Sequence, residues 1–191
     1  MIAHPVAMMI KDSTESLHQD VEALLRPKLA TLQNRDEYAT LLRMFYGYYS
    51  PLEDLVQEFV TPALLPDVAE RRKADAILQD LHSLQGAVNG LAFCQELPSI
   101  ENKAQAMGAL YVLEGSTLGG KMIAKMLRQN KSLALTDNEL TFFLGDKEET
   151  GSKWKAFIQV LNQQPCAEQT IAAANQTFYH LKNWMQHFYH G

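Results

Sequence analysis

Apolar residues return at helical spacing along almost the whole of this chain, and almost nothing in it alternates as a strand would. No Asn-Gly hairpin signal separates two alternating apolar runs, and clusters of β-branched residues are scarce. The sequence therefore predicts an all-α fold. Residues 11–26 put Leu17, Val21, Leu24 and Leu25 on one face behind the cap candidates Asp12, Ser13 and Thr14. A second helix is expected over 35–60, kinked at Pro51 and ended by Pro62 and Pro66. A third covers about 67–85, where QGAVNG breaks it, and 91–100 reads as a loop or a short helix. The stretch 101–129 looks like one long helix interrupted only by glycines. A short helix follows Thr136-Asp137-Asn138, and two more cover about 150–163 and 166–189 around Pro165. The expectation is a single domain over 1–191 with seven or eight helices, and a flexible N-terminal tail over 1–10.

The bulk numbers remove whole classes of function. With 191 residues, 47% of them apolar, the chain can bury a real core. A net charge of −5 with no long basic run argues against nucleic acid as a partner. No apolar run approaches the ~18–20 residues that cross a bilayer, and the N-terminus lacks the pattern of a secretory leader. Cys94 and Cys166 form no CxxC, so neither a zinc site nor covalent haem attachment is indicated. A cytoplasmic protein with two free thiols is the expectation.

Within the long helix, YVLEGSTLGGKMIAKML carries Gly115, Gly120 and Lys121 at the spacing of a phosphate loop. That loop must leave a strand and place Ser or Thr after the lysine. Here a helix precedes it and Met122 follows, so the nucleotide reading fails. Gly115, Gly119 and Gly120 then need another reason, since each glycine in a helix costs about 1 kcal/mol against alanine. Two readings stand. The glycines permit close packing against another helix, or they let the backbone lie against something flat and large, where any Cβ would collide.

A flat cofactor in an all-α protein suggests haem, which needs an axial ligand. Of the six histidines, His4 falls in the expected tail and His82 near a helix end. His180, His187 and His190 lie in the last helix, the latter two suited to complementing its dipole. His18 is different: it sits at the edge of the Leu17–Val21–Leu24 stripe, with Glu22 one turn on and Lys11 two turns back. A carboxylate beside a metal-bound imidazole fixes its tautomer. Glu15 and His18 also form an E-x-x-H, but the second copy that a di-iron bundle wants is missing.

Together, KDSTESLHQDVEALL and ALYVLEGSTLGGKMI resemble the haem oxygenase family, in particular its bacterial branch that includes bacteriophytochrome-associated enzymes. FLGDKEETGSKWKAFIQVL and AAANQTFYHLKNWM are similar to the same branch, and the likeness covers roughly residues 8–188. The resemblance implies a fold that sandwiches haem b between a proximal helix and a kinked distal helix. It places His18 on the iron, Glu22 on the acidic residue one turn later, and Gly115, Gly119 and Gly120 on the distal haem face. It puts Lys11 and Lys155 near the propionates, and Tyr111 and Phe178 among the haem contacts. Many members carry an Asp after the first distal glycine; here that position is Ser116, with Thr117 or a backbone carbonyl as other holders of the distal water.

The implied activity is oxidative cleavage of haem, both cofactor and substrate, to biliverdin, carbon monoxide and ferrous iron. It uses O2 and an external electron donor: ferredoxin, flavodoxin or a flavin reductase. Lys121, Lys125 and Arg128 form a basic face suited to an acidic donor, and the bilin can in turn supply a photoreceptor. The alternative expectation is a non-catalytic haem-binding protein of the same fold.

Overall fold

The computed structural model of the chain describes residues 5–71, 73–86, 90–145 and 148–189. Among them are seven α-helices and no strand: α1 (Val6–Thr31), α2 (Arg35–Gln57), α3 (Lys73–Ser83), α4 (Lys103–Gln129), α5 (Thr141–Leu144), α6 (Thr150–Leu161) and α7 (Ala167–Phe188). Two 3₁₀ turns, Val68–Arg71 and Asp137–Glu139, precede α3 and α5. The all-α expectation is met.

Two expectations change, and a third is decided between its alternatives. Helix α1 starts at Val6 with Ile10 fully buried, so the tail assigned to 1–10 is helix from Val6 onward; residues 1–4 lie outside the described residues, His4 among them. The helix expected over 67–85 divides into the Val68–Arg71 turn and α3. Residues 91–100 form no helix, and 87–89 of the expected break fall outside the described residues.

Helix α2 shows how local chemistry builds tertiary structure. Pro51 lies inside it, yet the helix continues to Gln57. A proline has no N–H for the carbonyl four residues back, which here is that of Gly47. That carbonyl accepts from the Cys94 backbone N–H instead, at 2.8 Å. Gly47 also admits the loop itself, because a Cβ there would lie 2.3 Å from the Ala92 carbonyl oxygen.

The bundle centres on α4 and α7, which form its most extensive helix pairing, with α1 against α7 next. The α4–α7 crossing is close at Gly108, where a Cβ would meet the Thr170 carbonyl oxygen at 2.1 Å. Helices α1 and α7 run parallel: Ser13 accepts from Asn175, and Asp20 from Lys182 further along. Helix α2 runs antiparallel to α7, with Tyr48 donating to the Thr177 carbonyl and Trp184 to that of Met44. Tyr38, Tyr48, Leu41, Leu42, Met107 and Phe157 are fully buried between these layers.

Candidate functional site

The register of α1 against α7 sets the first half of the site. Val6, Ile10, Thr14 and Val21 point inward, which leaves His18 on the flank of the buried stripe with its side chain 56% exposed. Its Nε2 lies 3.4 Å from a carboxylate oxygen of Glu22, as i, i+4 spacing on a helix allows. The ring of Phe178, from α7, stands 5.5 Å from the His18 ring. The structure thus brings His18, Glu22 and Phe178 together.

The second half is on α4. Gly119 is exposed, and a Cβ built there would meet nothing within 4 Å. At Gly115 the nearest atoms belong to the Trp154 ring of α6, at 3.8 Å. Tyr111, one turn earlier, packs 5.4 Å from the same ring. Burial raises the Tyr111 phenol above its usual range, and the nearby Asp12 carboxylate of α1 adds to the shift. That pairing places α1 beside α4 at this end. Lys11 and Lys155 are exposed and adjoin Asp12 and Trp154 in the chain.

Gly120 stands apart from the other two. It is buried, and a Cβ there would lie 2.3 Å from the Phe143 carbonyl oxygen of α5. The two sequence readings of the glycines are therefore divided between neighbours. Gly120 serves close packing, Gly119 leaves an open face, and Gly115 lies within van der Waals reach of the Trp154 ring. Around Gly119 that face is apolar: Leu118, Met122 and Met126 are among the exposed large hydrophobic residues, Met122 at 72%. Such a surface marks something that is meant to cover it.

The hydroxyls of this segment are turned onto their own helix. Ser116 donates to the Leu113 carbonyl at 2.6 Å and Thr117 to that of Glu114 at 2.7 Å. Ser116 also hydrogen-bonds with the buried Tyr49 phenol, partly offsetting the burial that pushes that group up to about 12. Tyr49 and Trp154 are site residues the sequence reading missed; tertiary packing alone brings them to α4. It also missed Glu114, whose signal was a carboxylate inside the apolar run ALYVLEG. Its side chain is 4% exposed and paired with both Arg71 and Lys73.

The remaining histidines are less suited to holding a metal. His82 is exposed at the end of α3, and His187 is exposed with Nδ1 2.7 Å from the Asn183 carbonyl. His180 is half-buried with Nδ1 unpartnered. His190 lies outside the described residues.

The family model for heme oxygenase matches residues 4–187. This chain belongs to the haem oxygenase family. It is 30% identical over 149 residues to the heme oxygenase of Xanthomonas campestris pv. campestris, covering 76% of this chain and 86% of the relative. Over 151 residues it is 30% identical to heme oxygenase PigA of Pseudomonas aeruginosa, covering 78% and 73%. The fold agrees. The NO- and CO-bound heme oxygenase of Neisseria meningitidis superposes with a TM-score of 0.77 at 22% identity, over 98% of this chain and 94% of that one. Heme oxygenase-1 of Synechocystis in complex with heme does so with 0.74 at 17% identity, over 96% and 92%.

The residues of this haem oxygenase fit a planar iron porphyrin on their own chemistry. A half-exposed imidazole with a carboxylate beside it provides an iron donor. A helix face with no side chain at Gly119 and apolar neighbours provides a flat wall.

Proposed function

We propose that this chain holds haem b between α1 and α4, with His18 on the iron, and cleaves it to biliverdin, carbon monoxide and ferrous iron. The observation that carries this reading is the open backbone face at Gly119, which coexists in one family-matched chain with the His18–Glu22 pair. The bound haem supplies the iron at which O2 is reduced and the porphyrin edge that is oxidised. The protein's part is to bind, orient and exclude.

His18 contributes a neutral imidazole. Glu22, within reach of the ring, is placed to take a ring N–H and so to fix tautomer and plane. A neutral imidazole would give the iron less electron push than a thiolate does. Phe178 packs beside the imidazole. Gly115 and Gly119 let the α4 backbone approach the opposite face, where any side chain would occupy the cofactor's space. Tyr111 and Trp154 wall one side. Lys11 and Lys155 offer ammonium groups to the propionates. Ser116, hydrogen-bonded with Tyr49, stands where many members of the family carry a carboxylate, and Thr117 offers a second hydroxyl in the same segment.

Electrons come from an external donor: a ferredoxin, a flavodoxin or a flavin reductase. Lys121 and Lys125 are exposed on α4 and suit an acidic donor. Arg128 is already paired with Asp137 and belongs less to that surface. No described helix is long and apolar enough to cross a membrane, and we assign the enzyme to the cytoplasm.

The test is to add haem to the purified apo-protein, record the Soret band, then supply reductant under air and identify the pigment formed. Biliverdin supports the reading. A Soret band without any bilin leaves a haem-binding protein that does not turn over, and no Soret band removes haem altogether.

A further inference from the structure

The residue directly before Gly115 is an ion in the interior. Glu114 accepts from Arg71 Nη1 at 2.5 Å through one carboxylate oxygen and from Lys73 Nζ at 2.9 Å through the other. The side chains are 4%, 1% and 7% exposed respectively. Arg71 is shared further: its Nε and Nη2 take both oxygens of Asp67, at 2.8 and 2.9 Å, and Nη2 also donates to the Lys153 carbonyl at 3.1 Å. Lys73 is fixed at the backbone as well. Its N–H and that of Ala74 donate to the two oxygens of Glu53, at 2.6 and 3.2 Å.

The placement of these contacts matters more than their number. Glu114 adjoins Gly115, and Lys153 adjoins Trp154, whose ring lies 3.8 Å from the Cβ position of Gly115. One guanidinium therefore ties the residue before Gly115 to the residue before Trp154, where the glycine helix and its aromatic wall come within van der Waals reach. Elsewhere the segment is held at Gly120, which packs on the Phe143 carbonyl, and through the hydrogen bond of Ser116 with Tyr49. Gly115 and Gly119 themselves have no side chains to pack, and Thr117 turns its hydroxyl onto a helix carbonyl.

We propose that Arg71 and Lys73, acting through Glu114, are positioning residues that hold the Gly115–Gly119 backbone at the height where it bears on haem. The inference rests on the haem reading of that face. Stability alone is a weak reason for such a cluster, because a buried ion pair is commonly replaced by apolar residues of similar volume without loss of stability. A satisfied polar network fixes one geometry where an apolar contact tolerates several.

The decisive variant is the triple Arg71→Met, Lys73→Met, Glu114→Leu, read by thermal melting, by quenching of intrinsic fluorescence as haem is titrated into apo-protein, and by the ratio of bilin isomers formed. The triple is expected to melt at or above the parent temperature. It should bind haem about ten-fold more weakly, the scale on which outer partners act on a bound metal group, and give a broader isomer mixture. Lys73→Arg, which keeps the charge, should behave as the parent. Unchanged affinity and isomer ratio in the triple overturn the proposal. If the triple does not fold, Glu114→Gln is read in the same way; it keeps the volume and removes both ion pairs. Gly119→Leu separates the two levels. If it leaves haem affinity unaltered, the glycine-face reading fails. If it weakens haem while the cluster variants do not, only the positioning role fails.

Discussion

Gly119 and Gly120 are adjacent in the chain and face opposite surroundings: a Cβ at 119 would meet nothing within 4 Å, and one at 120 would lie 2.3 Å from the Phe143 carbonyl oxygen. The first faces the open side of α4, the second the backbone of α5. Their substitutions should therefore differ in sign. Gly119→Ala should stabilise the apo-protein by ~0.5–1 kcal/mol, the helix penalty it removes. Gly120→Ala should destabilise it by ~1–3 kcal/mol, because backbone has to move. Denaturant melts of the two apo-variants check this, and equal effects would contradict the division.

A larger residue at 119 should cost function without costing fold. Gly119→Leu places a side chain in open space, so its melt should stay near that of the parent. Haem affinity and bilin yield should both fall by about ten-fold or more, since a misplacement of 1 Å at a reacting centre already costs up to about 100-fold. Parent-like bilin formation would remove Gly119 from the site.

Asp80 makes stability depend on pH. Its two oxygens accept from the backbone N–H groups of Thr141 and Phe142, at 2.7 and 2.9 Å, and so hold the start of α5. Burial pushes its carboxyl up to about 6, against the pull of those hydrogen bonds and with some help from the charge on Glu139. A native pKa above the unfolded value means the stabilisation is complete below the unfolded pKa and is lost as pH rises through about 6. The stability advantage of the parent over Asp80→Asn should therefore shrink between pH 4 and pH 7, each unit of pKa shift counting for about 1.4 kcal/mol. A pH-independent difference between their melts would show that Asp80 does not titrate in this window.

Much of this was legible from spacing, and the failures share one cause. The helices were readable because each buries a stripe that recurs along its own sequence. Even α1's early start was written in Val6 and Ile10, one turn apart, though the exposed Met8 and Met9 blurred the stripe. His18 and Glu22 were readable for the same reason, being i and i+4 on one helix. What could not be read depends on partners far away in the chain. Arg71 meets Glu114 43 residues on, and that pairing accompanies the Val68–Arg71 turn where periodicity suggested unbroken helix. Gly119 and Gly120 are indistinguishable in sequence; only the arrival of Phe143 separates them.

Donor docking should be sensitive to charge. The double variant Lys121→Glu, Lys125→Glu reverses two exposed ammonium groups on α4. With an acidic protein donor, turnover at low salt should drop, and the gap to the parent should close as salt screens over a Debye length of about 10 Å at 0.1 M. With a small chemical reductant the two proteins should match. Equal turnover with a protein donor at low salt would place the docking surface elsewhere.

The account depends most on His18. His18→Ala should fold, since the side chain is half exposed and alanine is the best helix former. Haem should still enter between apolar walls, but its iron should lose the protein nitrogen. The predicted spectrum changes from histidine-ligated to weakly ligated haem, bilin formation collapses, and imidazole added from solution restores part of both. Glu22→Gln should be milder, and His180→Ala and His187→Ala should leave the Soret band in place. The most direct measurement is the Soret spectrum of haem-loaded His18→Ala, recorded with and without imidazole: a shift that imidazole reverses is the result predicted, and a spectrum unchanged from the parent would contradict it.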